Sequence, residues 1–396
     1  MQLPVLRLNP KADHRLRHGH LWIYSNEIDN QARSLKTLQA GELAVIENAM
    51  GKMLGIAYIN PNTLICGRML NLNTTQAPDL DFFISRIKQA LQLRQQVFAV
   101  ACYRLIYGES DLLPGLVIDR FFDVLVVQIS TAGMDKFLDL IISSLEQVLK
   151  PKAILIKNDG KMREVEGLDS YVKWAKGSEE VTSTLLEENG VRFNAPIIQG
   201  QKTGWFYDHR MTRARLAAYV KDKRVLDVFS YIGGWGIQAA AFGASEVVLN
   251  DVSEFALSQV HANAKLNNLN NIQTLQGDAF DIMQELHESQ QKFEVIILDP
   301  PAFIPKRKDI SKGLAAYQKA NLSAMRLLQP EGGILISGSC SMHLPALDLR
   351  AAIHKAGSKL GRHIQILEQG HQGPDHPIHP AIPETEYLKA FICRVS

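Results

Sequence analysis

The sequence predicts an α/β fold, with an open parallel sheet in the C-terminal half and smaller strand-rich and α/β regions before it. Two observations carry that expectation. From Arg224 to Gly243, RVLDVFSYIGGWGIQAAAFG, an apolar strand-like run (Val225 to Phe229) breaks into a loop with Gly233, Gly234 and Gly236. The chain then enters the Ala-rich, helix-favouring segment Gln238 to Ala241. Three further short strands follow, Glu246 to Leu249, Gln273 to Gln276 and Phe293 to Leu298, and each runs into an acidic residue. Asp227, Asp251, Asp278 and Asp299 therefore line the crevice outside the carboxyl ends of a parallel sheet, where such folds bind ligands.

Glycine is needed in the loop because only a backbone without Cβ turns so sharply and lets a ligand approach the peptide groups, while the N–H groups of the following helix face that ligand. The loop is not the G-x-G-x-x-G of a dinucleotide site. Asp251 stands where a carboxylate can hold a ribose diol, and Asp278, in Gly277-Asp278-Ala279, where one can accept from an adenine amino group. Together these features describe a nucleoside site.

From the start of the chain, composition sets the limits. The 396 residues are 46% hydrophobic and 21% charged, a globular balance long enough for two or three domains and unlike a tail or a fibre. Met1 to Leu16 carries Arg7, Lys11, Asp13, His14 and Arg15 instead of an apolar core, and no later run has the apolar length of a membrane helix. A cytoplasmic location is expected. Cys66, Cys102, Cys340 and Cys393 lie far apart in no metal-ligand spacing, so reduced thiols and no bound metal are expected. With a net charge of +2, any RNA-binding face must be a local patch.

Residues 1–75 contain the short strands Leu43 to Glu47, Leu54 to Ile59 and Leu64 to Leu70, separated by turn residues. Before them, cations and imidazoles surround Trp22 and Tyr24. Either Lys11, Arg15 and Arg17 contact phosphates, or Leu21 to Tyr24 is core and the charges are its rim. Leu80 to Ala99 has helical spacing, and Tyr103 to Val127 predicts a loop, a turn at Pro114-Gly115 and two strands flanking Arg120 to Asp123. There Glu109, Ser110, Asp111 and Arg120 form either a polar site or turn caps. Phe137 to Val148 is an amphipathic helix and Ala153 to Ile156 a strand.

Gln199 to Arg210, QGQKTGWFYDHR, is dense in polar groups before a helix from Met211 to Val220. Lys202, Asp208 and Arg210 either anchor an anion or cap and flank that helix. After Asp299-Pro300-Pro301-Ala302-Phe303, the segment Ile304 to Lys312 carries Lys306, Arg307, Lys308 and Lys312, a basic loop suited to clamping phosphate. A helix from Leu314 to Leu328, a strand from Gly333 to Ser337 leading to GSCSMH, and a last strand from Tyr387 to Val395 complete an expected seven-stranded domain.

Several of these motifs resemble class I S-adenosylmethionine methyltransferases. VLDVFSYIGG looks like the first motif, NDVS the ribose-binding acidic position, GDAF the adenine position and DPPAF the catalytic fourth motif. The resemblance implies a Rossmann-like domain in which Asp227, Phe229, Tyr231, Gly233, Asp251, Asp278 and Asp299 hold S-adenosylmethionine. Asp299, Pro300, Pro301 and Phe303 would face the methyl-accepting group.

The N-terminal stretch, with RLRHGHLWIYSNEI, is similar to a PUA domain, a small β-barrel often appended to RNA-modifying enzymes. The order of PUA-like domain (1–75), small α/β domain (76–190), KTG-aromatic segment and methyltransferase domain (191–396) resembles the bacterial 23S ribosomal RNA (cytosine-5)-methyltransferase family over nearly the whole chain. In that family the KTG segment closes over the cofactor, which implies contacts from Lys202, Thr203, Tyr207, Asp208 and Arg210. The chain departs from the usual pattern at His209, where an amide is more common, and at Ile232 and Trp235. The implied activity is methylation of C5 of a cytosine in 23S ribosomal RNA or a large-subunit precursor. Cys340 would be the nucleophile, Asp299 would hold or protonate the base nitrogen N3, and Phe303 would stack on the base. Lys11, Arg15, Arg17, Lys306, Arg307 and Lys308 would contact RNA. A guanine-N ribosomal RNA methyltransferase without a covalent intermediate is one rival, and a non-catalytic RNA-binding or ribosome-assembly factor is another. Retention of every acidic strand end argues against the second.

Overall fold

The computed structural model describes residues 3–72 and 76–396. The chain divides into two compact units: Met1–Thr184, Pro196–Trp205 and Pro374–Thr385 in the first, and Leu185–Ala195, Phe206–Gly373 and Glu386–Ser396 in the second. The domain boundary expected at residue 75 lies outside the described residues.

The first unit holds two five-stranded sheets. One joins β1 (Val5–Arg7), β2 (Trp22–Tyr24), β3 (Glu42–Glu47), β4 (Met53–Ile59) and β5 (Ile65–Leu72) in the order β1-β3-β4-β5-β2. Here β1 runs parallel to β3 and the other pairs are antiparallel. A short helix, α1 (His14–Arg17), precedes β2. Helix α2 (Leu80–Val97) starts where Asp79 accepts the Phe82 N–H at 2.9 Å, and it buries Phe83, Ile87 and Ala90 along one face.

The second sheet joins β6 (Cys102–Tyr107), β7 (Leu116–Phe121), β8 (Val124–Ile129), β9 (Ala153–Asn158) and β10 (Tyr171–Lys176) in the order β10-β9-β8-β7-β6. Strands β8 and β9 are parallel, and α3 (Ala132–Asp135) and α4 (Leu138–Leu149) supply the crossover that a parallel pair requires. Helix α5 (Met162–Val165) follows β9. The loop expected at Tyr103 is instead strand β6. Its polar residue, Arg104, is neutralised in the interior by Asp119 at 2.9 Å, so the tertiary partner removes what looked like a loop signal.

The two sheets share buried groups. The Tyr58 hydroxyl of β4 contacts Pro114 O at 2.9 Å and Thr131 Oγ1 at 3.0 Å, and Arg68 of β5 pairs with buried Glu166 at 3.0 Å. The polar cluster at Glu109 to Arg120 is bracing. Asp111 accepts two Arg94 N–H groups at 2.7 Å, Glu109 accepts the Trp22 indole N–H at 2.9 Å, and Arg120 donates to Phe122 O at 2.8 Å.

The second unit begins with a two-stranded sheet of β11 (Thr184–Glu188) and β12 (Val191–Ala195), turned by Asn189 and Gly190 at φ 54° and 78°. The boundary expected at 190 falls inside this turn. Where one helix to Val220 is expected, α6 (Arg210–Ala214) gives way to a 3-10 turn, Arg215–Ala218. The large sheet then alternates β13 (Arg224–Val228), α7 (Gly236–Ala241), β14 (Glu246–Asp251), α8 (Glu254–Leu266), β15 (Ile272–Gln276), α9 (Ala279–Glu288), β16 (Val295–Leu298), α10 (Ile310–Leu327), β17 (Gly333–Ser339) and α11 (Ala346–Lys359). It ends with β18 (Ile364–His371) and β19 (Lys389–Val395).

Its seven strands, as expected, run in the order β15-β14-β13-β16-β17-β19-β18. The first five are mutually parallel, and β19 is antiparallel to both neighbours. All four residues of β16 are buried, as a parallel strand covered on both faces requires. The strand order reverses between β13 and β16, which opens a crevice at their carboxyl ends. Among the described residues, no helix is long and apolar enough to cross a membrane.

Candidate active site

The crevice is shaped by the turn after β13. Asp227 is fully buried, and its Oδ2 accepts the Gly236 N–H at 2.8 Å. Gly236 has no room for a side chain, since a Cβ would lie 2.4 Å from Leu249 Cδ2 and 3.0 Å from Asp227 Oδ2. Gly233 has φ +87°, and a Cβ there would meet Ile237 Cγ1 at 2.8 Å. Phe229 and Tyr231 are also left-handed, at φ 64° and 49°, conformations that cost bulky residues about 1–3 kcal/mol each. Such strain, concentrated in one short turn, marks a functional loop.

The neighbouring strand ends add acceptors. Asp251 accepts the Tyr231 N–H at 2.8 Å and the Ser253 N–H at 2.9 Å, and each oxygen retains a lone pair that a ribose diol can use. Asp278 is exposed and caps α9 through Oδ1, accepting the Phe280 N–H at 2.8 Å. Among the described residues, Asp227 Oδ1, Ser230 Oγ and Asn250 Oδ1 are buried without a hydrogen-bond partner, all at the ends of β13 and β14. Orphaned polar atoms beside a strained glycine turn mark it as a polar, functional segment. Asp227 itself has no exposed surface and holds the turn through Gly236.

Asp299, at the end of β16, is gripped from two sides. Its Oδ2 accepts the Trp235 indole N–H at 2.9 Å, and His209 Nε2 lies 3.2 Å from Oδ1 in an ion-pair contact whose geometry is not that of an aligned hydrogen bond. Burial disfavours charge on both groups, yet it is outweighed. Asp299 and then Asp208 raise the His209 pKa, while His209 and Trp235 lower that of Asp299. An ionised carboxylate accepts hydrogen bonds and is a poor acid, which favours an accepting role for Asp299. Two of the three departures noted in the sequence, His209 and Trp235, clasp the same carboxylate.

The segment carrying His209 is fixed by a buried ion cluster. Glu188 accepts from Arg213 at 2.6 and 3.0 Å and from Gln238 at 2.9 Å, with Arg210 Nε 3.6 Å away. Asp208 accepts the Tyr387 hydroxyl at 2.6 Å. Tyr207, Asp208 and Arg210 are all buried, so Arg210 is not solvated. The N-cap of α6 is His209, without a side-chain cap, and Asp208 does not serve as one. Lys202 and Thr203 belong to the first unit, where Lys202 is exposed and the Thr203 hydroxyl donates to Asp119 Oδ2 at 2.6 Å.

The four cysteines differ sharply. Cys66, Cys102 and Cys393 are buried, and burial pushes the Cys66 and Cys393 thiols up to about 12. Cys340, just after β17, is half-buried with Sγ 4.0 Å from Pro300 O. Its flanking serines are anchored: Ser339 Oγ donates to Tyr317 Oη at 2.8 Å, and Ser341 Oγ bonds Tyr317 Oη at 2.8 Å and accepts the Ile304 N–H at 3.2 Å. These bonds bring Cys340 and the DPPAF loop together. Pro300 is buried and Pro301 exposed; half-buried Phe303 packs with Tyr317 at 4.9 Å, Phe229 at 6.2 Å and Phe280 at 6.4 Å between ring centroids. The sequence pattern singles out the cysteine but not Ser339, Ser341 or Tyr317; the paired serines around it were the available signal.

The expected RNA-contacting cations fall into two groups. Lys306, Arg307 and Lys308 are exposed directly after the DPPAF loop. In the first unit Lys11 is exposed, but Arg15 forms a two-pronged pair with Glu27 at 2.7 and 2.8 Å over the Tyr24 ring, and Arg17 pairs with Asp13 at 3.1 Å. Leu21 and Ile23 are core.

Comparison with known proteins identifies the domains. Residues 6–72 match the PUA-like domain family and residues 104–385 the S-adenosylmethionine-dependent methyltransferase family. A protein of Aliivibrio fischeri (strain MJ11) named ribosomal RNA large subunit methyltransferase I is 36% identical, over 97% of each chain. In fold, the chain is similar to the methyltransferase SMU.776 solved in complex with SAH (TM-score 0.84, 21% identity, 99% of this chain and 100% of that one covered). It is also similar to a SAM-dependent methyltransferase from Streptococcus mutans (TM-score 0.83, 20% identity, the same coverage). The match to the methyltransferase family spans well over half the chain and the curated relative is matched almost end to end, so the chain belongs to the S-adenosylmethionine-dependent methyltransferases, in the group named ribosomal RNA large subunit methyltransferase I.

Proposed function

We propose that the protein methylates C5 of a cytosine in 23S ribosomal RNA through a covalent link to Cys340, working in the cytoplasm, where that RNA is assembled. The observation that carries this reading is the position of Cys340: half-buried, 4.0 Å from Pro300 of the DPPAF loop, and braced by Ser339, Ser341 and Tyr317. Relatives named for large-subunit ribosomal RNA support the substrate class.

Asp251 would hold the cofactor ribose and Asp278 its adenine, beside the turn from Phe229 to Gly236. S-adenosylmethionine, when bound, supplies an electrophilic methyl group. Cytosine C5 is too weak a nucleophile to take it unaided. The Cys340 thiolate therefore forms a bond to C6, and the electron pair of the C5–C6 double bond makes C5 enamine-like. After C5 has gained the methyl group, a base removes the C5 proton, the double bond re-forms and the thiolate leaves. Ionised Asp299 accepts from the exocyclic amino group, which cytosine has and uracil lacks. Phe303 offers a ring for stacking, while Lys306, Arg307 and Lys308 with the PUA-like domain engage the RNA backbone.

Cys340→Ala should abolish methylation of ribosomal RNA while leaving S-adenosylmethionine binding intact, and RNA containing 5-fluorocytosine should trap a covalent complex with the unsubstituted protein only. Near-normal turnover by the alanine variant would overturn the covalent route and favour methylation of a ring or exocyclic nitrogen.

A further inference from the structure

Lys389 is the first residue of β19, where it pairs with Ser339 on β17 and His371 on β18. It is only 7% exposed. Its Nζ donates to Ser341 O at 2.7 Å and to Leu344 O at 2.6 Å, the carbonyls at the two ends of the turn that follows Cys340. Among the described residues this ammonium has no carboxylate partner within ion-pair distance. A buried charge without a counter-charge is costly, so the fold keeps one here at a disadvantage that an anion formed in the site would relieve. Burial pulls the Lys389 pKa down to about 8, and Cys340, ahead of Glu386, is the group that acts to restore it.

Ionised Asp299 stands beside Gly338, two residues before Cys340, but is already held by His209 and Trp235; the surroundings contain few other candidates for that anion. Lys389 and Met342 to Leu344 share the wall of a cleft of about 430 Å³, whose remaining titratable groups are Arg307, His343, His371, Glu386 and Tyr387. Tyr317 faces the thiol from α10, and burial raises its pKa, so it stays neutral. Glu386 and Arg307 are exposed, where solvent screens them.

We propose that Lys389 is the positioning residue for Cys340: its ammonium fastens the turn from Ser341 to Leu344 and supplies the positive charge that holds the thiol as a thiolate. The proton released from the thiol passes to solvent, and the sulfur then adds to the base. This rests on the reading of Cys340 as the nucleophile.

The test uses the full chain with Lys389→Gln, which keeps a donor but removes the charge, and with Lys389→Arg, which keeps the charge. The rate at which iodoacetamide alkylates Cys340 is followed against pH, with the site read by mass spectrometry, alongside methyl transfer and S-adenosylmethionine affinity. In Lys389→Gln the alkylation midpoint should rise by about one pH unit, so that both alkylation and methyl transfer at pH 7 fall about tenfold and recover as pH is raised. Cofactor affinity should not move, and Lys389→Arg should restore most of the loss. An unchanged midpoint in a Lys389→Gln protein that still binds cofactor would overturn the proposal; should that variant not fold, a Lys389→Arg protein with a midpoint raised by the same unit would overturn it instead. The two ideas fail separately. Turnover by Cys340→Ala sinks the nucleophile while a shifted midpoint still supports Lys389, whereas an unmoved midpoint with an inactive Cys340→Ala sinks Lys389 alone.

Discussion

The ends of β13 and β16 lie side by side in one sheet, with Asp227 opposite Ile297 and Val228 opposite Leu298, and each strand delivers a carboxylate to the same crevice. Their chemistry is opposite. Asp227 is met by one backbone N–H, while burial, with Asp299 and Asp251 adding, pushes it well above the usual carboxylate range. Burial also disfavours charge on half-buried Asp299, but the charge of His209 and the indole N–H of Trp235 bring it below that range. Strand position places a carboxylate, whereas the neighbours decide whether it carries charge. The first is suited to shaping a turn, and the second to meeting a substrate.

This contrast can be broken from either side. The largest effect is expected for Asp299→Asn, which keeps the shape and removes the anion: methyl transfer at saturating cofactor should fall by at least about 10²-fold, the scale of losing one preorganised polar contact to the reacting group. A rate close to that of the unsubstituted protein would show that the ionised state of Asp299 is irrelevant.

A smaller effect is expected for His209→Gln, which keeps a polar side chain but removes the charge and should cost about 1–3 kcal/mol of stability where both partners are charged. A raised imidazole pKa stabilises the fold fully below the unfolded value near 6.5, and that contribution is lost as pH rises through the folded value. The lowered Asp299 pKa contributes above about 3.9 and is lost as pH falls through its own folded value. The stability gap between the two proteins should therefore be widest between about pH 4 and 6.5 and should close at higher pH. Chemical denaturation across pH checks this, and a gap independent of pH would contradict the ion pair.

The smallest effect is expected for Asp227→Asn. A raised carboxyl pKa means that the native stability due to this group is present at low pH and is lost as pH rises towards the folded value. The amide keeps the acceptor for Gly236 and cannot ionise, so the variant should gain on the unsubstituted protein as pH increases from about 4. If thermal melts show it losing stability at neutral pH instead, Asp227 is charged and the contrast with Asp299 collapses.

Much of the fold was legible because its signals are local. Apolar runs, a glycine turn and acidic residues at strand ends are read within a few positions, and the seven-stranded sheet formed from them. The Asn189-Gly190 turn is equally local, the strongest short-range hairpin signal, and it joins β11 to β12 across the boundary expected at 190. Strand β6 was not legible, because Arg104 looks like a loop residue until Asp119, on the paired strand, neutralises it. The Lys11 to Tyr24 stretch shows the same limit. Its cations suggested phosphate contacts, but Glu27 and Asp13 occupy Arg15 and Arg17, and only the folded chain shows those partners.

By itself, then, the sequence determined the alternation of strands and helices from β13 to β17, the glycine turn, and which residue types stand at the strand ends, since each depends on neighbours a few positions away. The tertiary structure alone decided which of four cysteines is accessible, which carboxylates are ionised, and what holds them. Those outcomes depend on pairs distant in the chain: Trp235 with Asp299, 64 positions apart; Lys389 with Ser341, 48 apart; and Tyr387 with Asp208, 179 apart. Burial and charge are properties of a site's whole surroundings, and those surroundings exist only once the sheet has brought its strand ends together.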